Sequence, residues 1–190
     1  DNDFVKNLIS TSTHDYLMVF TNRGKCYWLK VYDIPALSRQ SKGRNIVNLL
    51  ELGDQKIASI INVRTFDDQR QLIMATRNGL IKKTVLSAYG NFRANGIIAI
   101  KLDPNDDVIG VAVTSGNDEI MLGTRDGMAI RFNEAQARSM GRASRGVKAI
   151  TLRSNDIVVD MVVVAPDSSL LTVCENGYGK RTDIDDYRVQ

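Results

Sequence analysis

The sequence predicts an all-β fold in which four-stranded blades of about 50 residues lie side by side, as in a propeller. Three observations predict it. Turn dipeptides recur at nearly constant spacing, an apolar segment follows each turn at a fixed distance, and short apolar runs rich in β-branched residues separate them. Helical periodicity is weak except at 133–140, where a turn or two of helix is expected.

The first element of each unit is a tight hairpin turn that contains glycine. Asn-Gly and Asp-Gly between extended runs are strong hairpin signals, because both central residues of such a turn adopt positive φ. The turn glycines recur 48 to 55 residues apart, which indicates a repeat. These turns are Asn22-Arg23-Gly24, Asn78-Gly79, Asp126-Gly127 and Asn176-Gly177.

Each turn lies between two predicted strands, and two further strands follow. The strand before the turn is a nearly continuous apolar run, at 16–20, 71–74, 119–122 and 169–173, which is typical of a strand covered on both faces. A second glycine (Gly43, Gly96 and Gly146) lies 17 to 19 residues after the turn glycine. The apolar segments at 46–50, 97–100 and 147–150 follow it and are predicted to be strands. An acidic turn and another apolar run then complete the unit.

The chain is therefore predicted to be a single repeat domain over 1–190 that holds about four blades. The units run roughly over 14–66, 67–115, 116–165 and 166–190, and the last is truncated. Because a propeller typically closes with four or more blades, the array is expected to be incomplete. The start at Asp1 without a methionine likewise predicts a piece of a longer protein.

Composition argues against several classes of function. No apolar run reaches the roughly 18 residues that a membrane span needs, and no secretory signal pattern is present. His14 is the only histidine, so a catalytic triad or a multi-histidine metal site is not expected. Asp103, Asn105 and Asp107 have the alternate spacing of a calcium loop, but Val108 and Thr114 occupy positions that need Gly and Glu. We therefore predict no catalytic residue, no metal site and no cofactor in this chain.

Basic residues fall at two fixed positions of the repeat, although the net charge is only +3. The first group lies on the strand after the turn and contains Lys25, Lys30, Lys82, Lys83, Arg131, Lys180 and Arg181. The second lies on the connection around the second glycine and contains Arg39, Lys42, Arg44, Arg93, Arg138, Arg142, Arg145 and Lys148. Acidic residues fall mainly elsewhere in the unit.

Residues at one position of a blade repeat share one edge of the array, so these groups predict a basic band. Such a band neutralises successive phosphates of double-stranded DNA without reading bases. The simpler alternative is that lysines on outer strands protect sheet edges from aggregation. A protein-binding propeller that uses the acidic band is a second alternative, and a propeller enzyme is a third. Base stacking by Tyr89 and Phe92 is less favoured than anchoring of a long loop by these aromatic side chains.

Several strings resemble the C-terminal domain of the DNA gyrase A subunit. The most specific is Ala-Thr-Arg-Asn-Gly-Leu-Ile-Lys-Lys-Thr at 75–84, and others lie at 13–16, 21–24, 29–35, 42–50, 113–122 and 175–182. The resemblance implies a six-bladed β-pinwheel, a propeller-like ring whose blades exchange a strand with a neighbour. It further implies a rim that wraps DNA and presents it for strand passage and supercoiling.

The same resemblance implies the rest of the assembly. Expected partners are double-stranded DNA, the rest of the gyrase A subunit and the gyrase B subunit, in the bacterial cytoplasm. The catalytic tyrosine, the ATPase, and the ATP and Mg²⁺ that they use are expected outside this chain. The family's Gln-Arg-Arg-Gly-Gly-Lys-Gly box is absent, and the nearest string, at 38–44, lacks the paired glycines. The corresponding domain of the topoisomerase IV A subunit is the alternative within the same group.

Overall fold

The computed structural model describes residue 5 and residues 7–190, apart from the side chain of Val47. Over these residues the chain forms thirteen β-strands and five short 3-10 helical turns, and it has no α-helix. The strands are β1 (Tyr16–Thr21), β2 (Lys25–Lys30), β3 (Ile57–Val63), β4 (Gln71–Thr76), β5 (Leu80–Val85), β6 (Ile97–Ile98), β7 (Val108–Thr114), β8 (Glu119–Thr124), β9 (Ala129–Asn133), β10 (Val147–Lys148), β11 (Val158–Val163), β12 (Ser169–Val173) and β13 (Gly179–Asp183). The 3-10 turns are Val31–Asp33, Ile46–Asn48, Leu86–Tyr89, Glu134–Gln136 and Ile184–Asp186.

The strands form four small antiparallel sheets, one for each predicted unit. Their orders are β3-β1-β2-β6, β7-β4-β5-β10, β11-β8-β9 and β12-β13. The first two sheets therefore have the predicted four strands, while the third has three and the fourth has two among the described residues. The prediction of an all-β, propeller-like fold is confirmed.

The outermost strand of a sheet comes from the following repeat unit. β6 lies in the second unit but pairs with β2 of the first, with Cys26 opposite Ile97. In the same way β10, from the third unit, pairs with β5 of the second, with Ile81 opposite Val147. This exchange of strands between neighbouring blades is the arrangement that the resemblance implied.

The predicted strand at 46–50 is wrong. Ile46–Asn48 forms a 3-10 turn, in which the amide of Leu49 donates to the carbonyl of Ile46 at 2.9 Å. The equivalent segments at 97–98 and 147–148 are strands because each pairs with the sheet of the preceding unit. No preceding sheet lies within the described residues, so the 46–50 segment bonds locally instead.

The radial order of each blade follows from which strands meet their neighbours. β7 packs against both β3 and β11, so these last strands of successive units form the inner wall of the array. At Gly110, on β7, an added Cβ would lie 3.2 Å from the Cβ of Met161 on β11, which shows how closely the inner strands approach. The exchanged strands β6 and β10 lie at the opposite edges of their sheets and form the rim.

The core lies between the sheets. Alternate residues of β4 face opposite sides, because side chains alternate along a strand. Leu72 and Met74 pack in one buried cluster, and Ile73 and Ala75 pack in the next. Burial on both faces is therefore confirmed for this strand. It is wrong for β12, where the side chain of Leu171 is 64% exposed, because no further sheet covers it among the described residues.

The hairpin turns are held by the acidic turn of the same unit. Asp106 Oδ1 accepts hydrogen bonds from the amides of Asn78 and Asp107, both at 2.9 Å. Asp156 repeats this contact with the amides of Asp126 and Ile157. The predicted helical segment at 133–140 is reduced to the 3-10 turn Glu134–Gln136. Within the described part of the chain, no helix has the length and apolar character that a membrane crossing requires.

Candidate nucleic-acid interface

Lys82 and Lys83, on β5, are buried. Their relative exposures are 1% and 6%, and the two side chains lie on opposite faces of the sheet. Lys82 Nζ donates to Thr84 Oγ1 at 2.7 Å, the carbonyl of Ala99 at 2.8 Å and the Tyr89 hydroxyl at 3.2 Å. Lys83 Nζ donates to the carbonyls of Glu134 at 2.8 Å and Gly116 at 3.4 Å. Neither ammonium group is accessible to a phosphate, which contradicts the prediction that these lysines contact DNA.

Arg131, on β9, is also committed to internal contacts. Only 11% of its side chain is exposed, and its Nη2 lies 2.6 Å from Glu119 Oε2. Its Nη1 donates to the carbonyl of Ile184 at 2.7 Å and to that of Tyr187 at 3.1 Å. Its predicted role in DNA contact is therefore also contradicted.

Lys83 and Arg131 make the same contact from the same repeat position, four residues after the turn glycine. Each donates to the carbonyl of the first residue in the 3-10 turn of the next unit, Glu134 or Ile184. We call this contact the inter-blade clamp. In the first unit Trp28 occupies the clamp position, and its Nε1 is buried without a hydrogen-bond partner.

The other residues of the post-turn group are more accessible. Lys25 is half-buried, and Lys30 is exposed with its Nζ donating to the Tyr32 hydroxyl at 2.9 Å. That hydrogen bond is the main cause of the raised pKa of Lys30. Lys180 and Arg181 are exposed on the two-stranded sheet, yet they occupy the repeat positions of Lys82 and Lys83. That these four residues contact DNA stays a prediction.

The second basic group lies on exposed loops, apart from Lys148 on the outer strand β10. We call the connections at 35–45, 90–96 and 137–146 the rim loops, because the last two lead directly into the outer strands β6 and β10. Arg142 is half-buried, and the other members of the group are exposed: Arg39, Lys42, Arg44, Arg93, Arg138, Arg145 and Lys148. The structure therefore leaves this group available to a large anionic partner.

The rim loop at 137–146 connects two blades. The amide of Met140 donates to the carbonyl of Lys83 at 2.9 Å, which ties the loop to the second sheet. Arg142 Nη1 donates to the carbonyl of Ile98 at 2.5 Å, and the amide of Lys101 donates to the carbonyl of Ser144 at 3.0 Å. The loop thus runs from the second sheet to the outer strand of the first and carries its cations across the gap.

Arg145 is the one rim cation with a bidentate carboxylate partner among the described residues. Its Nε donates to Asp103 Oδ1 at 2.6 Å, and its Nη2 pairs with Asp103 Oδ2. The guanidinium holds the pKa of Asp103 below its usual value, and the carboxylate raises the pKa of Arg145 in turn. Half of the Arg145 side chain remains exposed, so the pair is a solvent-screened surface pair of modest strength.

Sequence reasoning missed two sets of basic residues. Lys101 is exposed beside the rim loop at 137–146 and follows the exchanged strand β6. Its position in the repeat could have identified it as a rim residue from the sequence. Arg23, Arg77 and Arg125 lie beside the turn glycines. Arg77 Nη2 donates to the carbonyl of Asn105 at 2.6 Å, and Arg125 contacts the carbonyl of Asn155. Asp107 lies 3.7 Å from Arg23 and 3.4 Å from Arg77, so this row joins neighbouring turns.

The aromatic residues near Arg93 anchor its loop. The ring of Phe92 lies 4.8 Å from that of Tyr16 and 5.3 Å from those of Trp28 and Phe66. Tyr89 is fully buried, so it is unable to stack on a base. The favoured interpretation of these aromatics as loop anchors fits this packing.

No arrangement typical of metal binding occurs among the residues that the structure describes. They contain no group of three or more His, Cys, Asp or Glu side chains placed to hold a metal ion. Asn105, at the centre of the calcium-like spacing, has a φ of 61° and its carbonyl accepts from Arg77, as in a polar turn between strands. The basic rim, where the second basic group is exposed, is the candidate functional site.

Comparisons with known proteins agree with the fold and the repeat. A family model described as "DNA gyrase C-terminal domain, beta-propeller" matches residues 15–64, 70–115, 118–165 and 168–190. The DNA gyrase A subunit of Haloquadratum walsbyi is 48% identical over 197 aligned residues, covering 100% of this chain and 23% of that protein. The DNA gyrase A subunit of Escherichia coli is 43% identical over 188 residues, covering 98% of this chain and 22% of that protein.

Solved structures of two related domains share the architecture. A DNA gyrase A C-terminal domain superposes with a TM-score of 0.79 at 30% identity, covering 95% of this chain and 58% of that one. A DNA topoisomerase IV C-terminal domain superposes with a TM-score of 0.86 at 28% identity, covering 94% and 56%. The chain spans less than a quarter of the length of the curated relatives named above. Because the family model matches most of its residues, the chain belongs to the DNA gyrase C-terminal domain family.

Proposed function

We propose that this chain binds double-stranded DNA along its basic rim and bends it by contacts to the phosphate backbone. The observation that carries the proposal is the outward placement of the second basic group. Lys82, Lys83 and Arg131 are used inside the array, whereas the rim loops present their cations outward on successive blades. A row of cations that follows a curved edge fits a bent duplex better than a straight one.

The magnitudes require several blades to act together. Bending 20–30 base pairs by 40–90° costs on the order of 1–6 kcal/mol. Each phosphate contact releases counterions and contributes to binding, but a single rim loop has too few cations to offset that cost. The rim loop at 137–146 is bonded to the neighbouring blade, because Arg142 donates to the carbonyl of Ile98 and the amide of Lys101 donates to the carbonyl of Ser144. These bonds keep the rim cations at a fixed spacing along the edge. None of the described strands or turns forms a recognition helix, so the contact is non-specific.

We further propose that the chain works as the wrapping domain of a gyrase A subunit. Its relatives at 43–48% identity carry that name, which favours gyrase over topoisomerase IV, whose domain is similar in structure at 28% identity. In this role it presents DNA for strand passage and supercoiling, beside the rest of the A subunit and the B subunit, in the bacterial cytoplasm. The chain itself performs no covalent chemistry and needs no cofactor, while ATP and Mg²⁺ serve other parts of the parent enzyme.

Paired charge reversals test the rim. Arg93→Glu with Arg138→Glu removes cations from two rim loops, and we expect duplex affinity to fall at least tenfold at 50 mM salt. The matched control, Lys56→Glu with Arg64→Glu, makes the same change in net charge on exposed residues away from the rim loops. Equal weakening by the two double variants would show that only net charge matters. Unchanged affinity in both would instead favour a protein partner for the acidic band.

A further inference from the structure

Lys82 is a buried cation without a negatively charged partner. Its three hydrogen-bond partners are all neutral oxygen atoms: Thr84 Oγ1, the Tyr89 hydroxyl and the Ala99 carbonyl. The titratable or charged groups around it are Tyr89 in the 3-10 turn Leu86–Tyr89, Cys26 on β2 and Arg142 in the rim loop. Burial raises the pKa of Tyr89 and of Cys26, so neither supplies negative charge at neutral pH.

The site is built to accept Lys82 in either protonation state. An ammonium group has three N–H donors, and three oxygen atoms surround it. A neutral amine has two donors and one lone pair, so one neighbour must become a donor. The hydroxyls of Thr84 and Tyr89 are able to donate, whereas the Ala99 carbonyl only accepts. Loss of the proton therefore leaves no buried polar atom of this cluster unpaired.

Lys82 and Arg142 hold consecutive carbonyls of the same segment. Arg142 binds the carbonyl of Ile98 from the rim side, and Lys82 binds that of Ala99 from inside the array. The amide of Ala99 also donates to the carbonyl of the turn glycine Gly24 at 2.8 Å. The exchanged strand of the first blade is thus fixed between a buried cation and a rim cation. Because the two cations bind adjacent carbonyls, their positive charges repel each other, and Arg142 contributes to lowering the pKa of Lys82.

We propose that Lys82 is a buried positioning residue of the rim whose protonation is coupled to phosphate binding at Arg142. This inference rests on the proposed function, because it requires DNA at the rim. A phosphate beside Arg142 offsets the positive charge that faces Lys82, so the buried amine takes up a proton when DNA binds. By linkage, deprotonation of Lys82 weakens DNA binding by the same free energy.

The environment of Lys82 in the free chain predicts that DNA binding causes proton uptake. Burial lowers the pKa of Lys82 to about 7, and the charge of Arg142 lowers it further in the same direction. At pH 7.5 the free chain therefore holds a mixture of both forms, and bound DNA shifts it toward the ammonium. We expect uptake of between about 0.2 and 0.8 protons per bound complex at this pH.

Calorimetry in two buffers measures that uptake directly. A 30-base-pair duplex is titrated into this chain at pH 7.5 and fixed salt, in buffers of different ionisation enthalpy, and the difference in observed enthalpy gives the protons bound. We expect uptake by the unmodified chain and none by Lys82→Met. Arg138→Gln is the matched control, since it removes an exposed rim cation that has no contact with Lys82, and it should weaken binding while leaving the uptake unchanged.

Arg142→Gln keeps the inference testable if Lys82→Met does not fold. It retains Lys82 and its three partners, and we expect its uptake to fall well below that of Arg138→Gln. DNA binding without any proton uptake, or uptake that survives in Arg142→Gln, would overturn the coupling and leave the proposed function standing. Absence of DNA binding by the unmodified chain would instead overturn the proposed function itself.

Discussion

The ammonium group of Lys83 lies 2.8 Å from the carbonyl oxygen of Glu134, which belongs to the next repeat unit. Arg131 makes the equivalent contact with Ile184 one unit later. Largely buried cations that join consecutive units are thus a recurring part of the scaffold. Lys83 also follows a hairpin turn in the sequence, where a lysine would ordinarily be assigned to the solvent side of a strand.

Lys83 and Lys148 should have opposite effects when each is replaced by methionine. Lys83→Met leaves the carbonyl of Glu134 without its cation, and we expect it to lower the free energy of unfolding by about 1–3 kcal/mol with little change in DNA affinity. Lys148→Met removes an exposed cation of the rim and should change stability by less than about 0.5 kcal/mol while weakening DNA binding. Urea unfolding and duplex titration of both variants measure the two effects. If Lys83→Met instead weakened DNA binding and left stability unchanged, Lys83 would be a DNA contact.

Stability should increase with pH in a range set by Lys82. Its pKa is about 7 in the folded chain and 10.5 in an unfolded one, so the unfolded state binds more protons between these values. The free energy of unfolding should therefore increase from about pH 7 toward pH 10, by at most ~1.4 kcal/mol per pH unit. Urea midpoints measured across this range for the unmodified chain and for Lys82→Met test it. A slope that persists in Lys82→Met would assign the effect to other groups, and Lys148→Met serves as the exposed control.

Replacement of Gly79 or Gly127 by alanine should distinguish two causes of destabilisation, backbone strain and steric overlap. Both have positive φ, 84° and 83°, so alanine at either position carries a similar backbone strain. At Gly79 an added Cβ would also lie 2.8 Å from Ile150 Cγ2, whereas at Gly127 nothing lies within 4 Å. We expect Gly79→Ala to be more destabilising than Gly127→Ala by roughly 1–3 kcal/mol. Thermal unfolding of the pair measures the difference, and equal losses would mean that Ile150 moves aside without cost.

Single neutralisations should map the DNA path along the rim. Lys42→Gln and Arg138→Gln remove cations from the first and third rim loops, and each should reduce the slope of log affinity against log salt by about 0.9 per lost phosphate contact. The loss should be uniform across duplex sequences, because phosphate contacts carry no base information. Arg64→Gln is the control away from the rim loops. If the slope changed only for Arg138→Gln, the DNA would contact the later blades and not the first one.

The repeat could be predicted because it depends on local rules. Asn78-Gly79 marks a hairpin since the turn geometry requires positive φ, and the apolar run of β4 marks a strand buried on both faces. The exchange of β6 and β10 was implied by the resemblance to a known family and not by local pattern. The segment at 46–50 shows why: it has the same apolar character as 97–100, yet it forms a 3-10 turn because pairing depends on a neighbouring sheet.

The sequence by itself determined the β-class, the period of about 50 residues and the two repeat positions at which basic residues gather. Only the tertiary structure decided which position faces solvent. Lys82 became internal because Thr84 and Ala99 of its own unit supply oxygens to its ammonium group, and Lys83 became internal because the next unit supplies the Glu134 carbonyl. The physical reason is that the burial of a charge depends on partners distant in the chain, here 17 residues away at Ala99 and 51 at Glu134.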